Sequence, residues 1–145
     1  MQIKSFVLIF LLFVVNIFPQ AERYTKGAEN GHTWMSMDNP ALMYSTSKEN
    51  YLSSILDRFR ITNERHPEIA SLDCKEDINK LSGEGKSNEI SLNDVVLETN
   101  YFYSFEDNLV IPIIFAYCYT IKKFAGASTE ELNGYRKDVL LFCYE

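Results

Sequence analysis

The 145-residue sequence has few of the side chains that build reaction centres: two histidines, three cysteines and one tryptophan. The cysteines are spaced 44 and 25 residues apart, which matches no pattern of zinc ligands. The sequence also lacks the GxSxG, HExxH and paired CxxC motifs of common hydrolases, metalloproteases and metal sites. His32 and His66 are interpreted as capping or solvated side chains. We therefore expect a non-enzymatic protein with no cofactor and no metal.

Basic side chains are scarce as well, because 14 Lys and Arg face 20 Asp and Glu and leave a net charge of −6. A nucleic-acid binder needs a basic face that displaces counterions from phosphates, so we expect no nucleic-acid partner. The tripeptide Gly85-Lys86-Ser87 resembles the end of a P-loop. However, Lys80 stands where the leading glycine is required, and no apolar strand precedes the loop, so we expect no nucleotide partner either.

The first part of the chain contains a long apolar run, Phe6–Phe18, which follows Lys4. Its thirteen residues are typical of a secretory signal and fall short of the roughly 20 that a membrane-spanning helix needs. We predict a signal peptide over residues 1–21 and a periplasmic or secreted protein. Pro19 stands where a small residue is usual before cleavage, so an uncleaved segment that contacts the membrane is the alternative.

Three cysteines follow: Cys74, Cys118 and Cys143. An oxidising compartment permits one disulfide among them, and the sequence leaves the pairing open. The chain has the length of one domain. After the signal peptide we predict a flexible polar lead-in over 22–38 and a helical domain over 39–145.

Helix-start signals recur in that domain. Thr46 and Glu49 form a capping box ahead of an amphipathic stretch, which predicts a helix over 47–62. Ser128 and Glu131 form a second capping box before the last helix. A less regular helix is indicated by three apolar residues at helical spacing: Cys74, Ile78 and Leu81.

Residues Leu109 to Ile121 are almost wholly apolar and include Pro112, which suits the first turn of a helix. We predict a buried helix that begins near Pro112 and is capped by Asn108. The preceding section, Ser91 to Phe105, fits two structures. Aromatic and β-branched residues favour a strand, whereas Ser91 and its third neighbour Asp94 resemble a helix cap.

Two groups of residues resemble a family of small exported bacterial all-helical proteins. The first group runs Gly31-His-Thr-Trp34-Met-Ser36, then Lys48 and Tyr51-Leu52. The second runs Phe102-Tyr103, Asn108, Ile111-Pro112-Ile113, Ala116, Gly126 and Glu131. The resemblance implies an all-α bundle of four or five helices, with an α+β fold containing a hairpin at about 95–121 as the alternative. A more distant similarity is to periplasmic immunity proteins of type VI secretion, which are also small, exported and helical.

Nine tyrosines leave room for a tyrosine-rich surface, a composition that favours protein interfaces. Together with the acidic charge, this predicts a binding module, such as an inhibitor or immunity protein, that acts on an envelope protein with a basic surface. The alternatives are a structural envelope component and a small enzyme of undetected type. Trp34 and Tyr51 are expected to brace the first long helix. The candidate interface residues are Trp34, Lys48, Tyr51, Tyr101, Tyr103 and Asn108.

Overall fold

A computed structural model describes residues 22–37, 47–54, 74–81 and 90–145 of the protein. These residues are mostly α-helical, as predicted, and include a small two-stranded hairpin. The predicted signal peptide, His66 and the Gly85-Lys86-Ser87 motif lie outside the described residues. Within the four described ranges, no helix combines the length and the apolar character that crossing a bilayer requires.

The hairpin pairs β1 (Tyr24–Thr25) with β2 (Ala28–Glu29) in antiparallel register. Its turn residues Lys26 and Gly27 have φ values of +48° and +80°, the left-handed geometry that matches the twist of a tight hairpin. Helix α1 (Gly31–Ser36) follows at once, and its N-cap side chain, Asn30, accepts a hydrogen bond from the His32 N–H. We refer to residues 22–37 as the N-terminal unit.

The prediction of a flexible lead-in is therefore wrong for residues 22–37. The hydroxyl of Thr25 donates to the Val110 carbonyl, 85 residues away in sequence. The Gly31 N–H donates to the Leu109 carbonyl at 2.9 Å. These long-range bonds fix the N-terminal unit on the domain, although its polar composition alone gives no sign of them.

Residues 48–54 form α2, the described part of the helix predicted over 47–62. The Ser47 hydroxyl accepts a hydrogen bond from the Asn50 N–H at 3.2 Å, so Ser47 caps this helix. Thr46 and residues 55–62 lie outside the described residues, and the capping box assigned to Thr46 stays a prediction.

Helix α3 (Lys75–Leu81) confirms the helical spacing seen around Ile78. A disulfide joins Cys74, just before α3, to Cys118, with the two Cα atoms 5.2 Å apart. Cys143 carries a free, half-buried thiol, and burial raises its pKa to about 11. The structure thus resolves the pairing that the sequence left open.

The ambiguous section is a helix, α4 (Leu92–Tyr103), so the hairpin alternative at 95–121 is wrong. Ser91 and Asp94 form a complete capping box at its start. Three side chains at helical spacing face the core: Val95, Thr99 and Phe102. Packing of this face outweighs the strand propensity of the same residues, because propensity is a weak preference that tertiary context overrides.

A short 3₁₀ helix (Glu106–Asn108) leads to α5 (Ile113–Phe124), which begins directly after Pro112, as predicted. The prediction that Asn108 caps α5 is wrong, because its side-chain amide donates to the Phe102 carbonyl at the end of α4 instead. No side chain caps α5 at Pro112.

Helix α6 (Thr129–Tyr144) starts at the predicted Ser128–Glu131 capping box. Helix α5 lies at the centre of the described helices and contacts α3, α4 and α6. Its central position explains its nearly uniform apolar composition, as the sequence predicts. Its buried side chains are Ile113, Phe115, Ala116, Tyr117, Cys118, Thr120 and Ile121.

Candidate binding surface

The six predicted interface residues divide between the surface and the interior. Tyr101 is 59% exposed and Tyr51 is half-buried. The other four lie in the interior, so they support the surface and do not offer their side chains to a partner: Trp34, Lys48, Tyr103 and Asn108. Their burial has a separate structural cause in each case.

Trp34 and Lys48 meet at one acceptor, the side-chain oxygen of Asn100 on α4. The Trp34 indole N–H donates to it at 2.8 Å, and the Lys48 ammonium donates to it at 2.9 Å. The Lys48 Nζ also lies 5.2 Å from the centroid of the Trp34 ring, within the range of a cation–π contact. This contact joins α1, α2 and α4, and it explains how a lysine can be 7% exposed.

Tyr51 joins the same region to the hairpin, because its hydroxyl donates to the carboxylate of Glu29 at the end of β2. Trp34 and Tyr51 were predicted to brace the first long helix. In the described residues Trp34 lies in the core, and Tyr51 links α2 to the N-terminal unit.

Tyr103 is enclosed by the N-terminal unit and the loop before α5. Its hydroxyl donates to the Ile111 carbonyl at 2.9 Å, and burial raises its pKa well above the ordinary value. Its ring lies against Gly31, where an added Cβ would be 2.5 Å from the Tyr103 Cδ1 atom and 2.8 Å from the Leu109 Cα atom. Gly31 is therefore required by close approach.

Asn108 connects the turn after α4 to the last helix. Its amide nitrogen donates to the Phe102 carbonyl at 2.7 Å, and its amide oxygen accepts a hydrogen bond from the Arg136 Nε at 2.6 Å. The 3₁₀ turn is thus held from both sides, which fixes the orientation of the chain between α4 and α5.

Large apolar side chains are exposed on the outward face of α4 and just past its C-terminal end. Leu97, Tyr101 and Phe105 follow at i, i+4 and i+8 and are 58%, 59% and 51% exposed. The Tyr101 and Phe105 rings contact each other edge-on, with centroids 5.5 Å apart. An amphipathic helix normally carries polar residues on the face opposite its core, so this row reverses the usual pattern. We refer to these three side chains as the α4 surface.

Of these three residues, only Tyr101 is among the candidate interface residues predicted from the sequence; Leu97 and Phe105 are not. A helical interpretation of α4 places Val95 and Phe102 on the inward face and Leu97 and Tyr101, four residues apart, on the opposite side, so the spacing could have indicated this row.

Carboxylates flank both ends of the α4 surface. Asp94 is exposed near the start of α4, and Glu106 and Asp107 are exposed beyond its end, where the Asp107 carboxylate lies 4.0 Å from the Arg136 guanidinium. Hydrogen bonds from Ser91 lower the pKa of Asp94. At the middle of the helix, Glu98 forms an ion pair with Lys123. The surface therefore has acidic ends and a charge-balanced, apolar centre.

A second charged group lies away from this surface. Asp77 on α3 accepts hydrogen bonds from Lys122 at 2.8 Å and from Lys80 at 3.0 Å. Burial raises the pKa of Asp77, but these bonds more than offset that effect and lower it overall. Asp77 is thus a buried group that ties α3 to α5.

Among the described residues, no three His, Cys, Asp or Glu side chains are grouped closely enough to hold a metal ion. His32 lies on α1, half-buried, and its backbone N–H bonds the Asn30 cap. The absence of an enzyme activity stays a prediction.

Comparison of the chain with protein-family models, with curated proteins and with solved structures finds no match in any of the three. The geometry and chemistry of the α4 surface are therefore the basis for proposing a function.

Proposed function

We propose that this protein is an exported, non-enzymatic binding module that acts, as an inhibitor or immunity protein, on another protein of the cell envelope. The observation that carries the proposal is the α4 surface: Leu97 and Tyr101 on the outward face of α4 and Phe105 just past its end, all three more than half exposed. Large apolar side chains gathered in this way mark binding sites, because leaving them in water costs stability that a partner can recover.

The composition of this surface suits a protein partner. Tyrosine is enriched in interface hot spots, since it supplies a large contact area with few rotatable bonds and a hydroxyl that can hydrogen-bond. Tyr101 lies in the middle of the row, flanked by Leu97 and Phe105. In protein interfaces, the residues that contribute most binding energy lie at the centre in this way, and the contacts around them exclude water.

Two features support an exported protein. The apolar segment Phe6–Phe18 has the length of a secretory signal. The Cys74–Cys118 disulfide is the kind of bond that persists in oxidising compartments. N-terminal sequencing of the protein recovered from the envelope tests the first feature: a start near Glu22 supports export with cleavage, and a retained Met1 supports the anchored alternative.

Affinity capture from envelope extracts at low salt tests the binding function. Leu97→Ala and Tyr101→Ala should each reduce the captured partner, because they truncate the α4 surface. Two exposed residues of α6 supply controls of the same residue types, so Leu141→Ala and Tyr144→Ala should retain it. If the unmodified protein retains no protein above background, the proposed function is wrong.

A further inference from the structure

We infer that the partner presents an apolar groove with a cationic rim and that helix α4 lies in this groove; the inference rests on the proposed function and specifies its partner. Helices that bind grooves do so with anchor side chains three or four residues apart, about one from each turn. Leu97 and Tyr101 supply the first two positions on α4, about 6 Å apart along its axis, and Phe105 supplies the third just after its end.

Hydrogen bonds to the rest of the domain fix the position of this row. Asn100, on the neighbouring flank of α4, accepts hydrogen bonds from both Trp34 and Lys48. The turn that carries Phe105 is fixed by the bonds of Asn108 to Phe102 and Arg136. A surface ordered before binding loses less conformational entropy when the complex forms.

Charge sets the chemistry of the groove. The acidic side chains Asp94 and Glu106 lie beyond the two ends of the row, and next to Glu106 the exposed Asp107 lies 4.0 Å from the Arg136 guanidinium. Between them, Lys123 neutralises Glu98, and its ammonium lies 5.6 Å from the centroid of the Tyr101 ring. A complementary site is therefore apolar at its centre and carries lysine or arginine at both ends.

The same charges argue against two other occupants. In a symmetric pair of α4 helices, parallel or antiparallel, an acidic end meets an acidic end in either orientation, so a second copy of this chain is repelled. An anionic membrane surface attracts basic segments, and these acidic ends disfavour contact with it.

Site-specific photocrosslinking in the full chain identifies the occupant. The full chain with benzoylphenylalanine at position 101, expressed in its native cells, should crosslink to another protein. The crosslinked peptide of that partner should be apolar and flanked by lysine or arginine. The same group at position 130, on exposed α6, is the matched control and should give no such product.

Binding of the purified partner then tests the charge. We expect the dissociation constant to rise about tenfold or more between 50 and 500 mM NaCl, since salt screens exposed charges. The double variant Glu106→Lys/Asp107→Lys should weaken binding by about tenfold or more, while Glu130→Lys should stay within about twofold. Unchanged thermal unfolding of each variant checks that the fold is retained.

The outcomes separate the inference from the proposed function. A crosslink from position 101 to a second copy of the chain or to lipid overturns the inference. The inference is also overturned if a protein partner binds with the same dissociation constant at high salt and after charge reversal, or if the partner crosslinks at position 130 only. In both cases the proposed binding function stands. If neither position crosslinks to a protein and affinity capture also fails, the proposed function falls with it.

Discussion

Asn100 illustrates how one side chain can hold two unlike neighbours in a protein interior. Its oxygen accepts from the indole of Trp34 and from the ammonium of Lys48, and both donors are buried. Burying such groups costs free energy unless they are hydrogen-bonded, so this one acceptor offsets the desolvation cost of two buried donors.

Asn100→Ala should lower the free energy of unfolding by about 2–3 kcal/mol, because it removes the acceptor that the two buried donors share. Urea unfolding followed by circular dichroism measures the change. Asn93→Ala is the control, since Asn93 is exposed on the same helix and should alter stability by less than about 0.5 kcal/mol. Equal effects of the two variants would contradict the role given to Asn100.

Two glycines should respond in opposite ways to the same substitution. Gly31→Ala places a Cβ 2.5 Å from Tyr103 and 2.8 Å from the Leu109 backbone, and should destabilise by about 1–3 kcal/mol. Gly134→Ala places a Cβ on α6 with no atom within 4 Å, and should stabilise by about 0.5–1 kcal/mol. Thermal midpoints that move in the same direction would refute the packing described around Gly31.

At the level of the elements, local signals predicted what local interactions determine. The capping boxes at Ser91 and Ser128 each need only residues three apart, and both starts are found where the sequence places them. Pro112 likewise marks the start of α5. The assignment of α4 was harder, because its residues have strand propensity and only their packing against α5 decides the matter.

The disulfide is the covalent link between two of these elements, α3 and α5. Cys74→Ser/Cys118→Ser should lower the free energy of unfolding by about 2–4 kcal/mol, because the unfolded chain loses a crosslink between residues 44 apart. Thiol titration in denaturant checks the pairing: the untreated protein should show one thiol, from Cys143, and the reduced protein three. Two or more thiols before reduction would contradict the bond.

In the folded, untreated protein the single thiol should react slowly. Burial raises the pKa of Cys143 to about 11, and the thiolate is the reactive form. Alkylation by iodoacetamide at pH 8 should therefore be much slower than in urea and should speed up as the pH approaches 11. An equal rate in both solvents would show that the thiol is not shielded.

For the whole molecule, stability should decline in acid. Hydrogen bonding lowers the pKa of Asp77 below the ordinary 3.8 in spite of its burial, and its Lys122 partner lies on the central helix. Because the folded-state pKa is the lower one, this contribution is complete above about pH 5 and disappears as pH falls through the lowered value. Asp77→Asn should therefore unfold with a weaker dependence on pH between about 5 and 2, whereas Asp138→Asn, an exposed control on α6, should behave as wild type.

Long-range pairing marks the limit of what the sequence predicts. The N-terminal unit is polar and contains glycine, and no pattern within residues 22–37 indicates that Trp34 donates a hydrogen bond to Asn100, 66 residues later. Lys48 and Asn108 are polar and therefore predicted at the surface, yet hydrogen bonds to residues distant in sequence hold Lys48, and bonds to Phe102 and Arg136 hold Asn108, inside the domain. Such burial depends on side chains that only the folded chain brings together.

The docking of the N-terminal unit has a kinetic consequence. Thr25 and Gly31 bond to carbonyls of residues 109 and 110, so the first part of the domain to leave a ribosome or a translocation channel completes these contacts only after residue 110 has emerged. Loop closure over such a separation is slow compared with the pairing of neighbouring helices. Helices α4 to α6 should consequently assemble early and the hairpin should dock afterwards. Until it docks, the nascent chain should depend on chaperones.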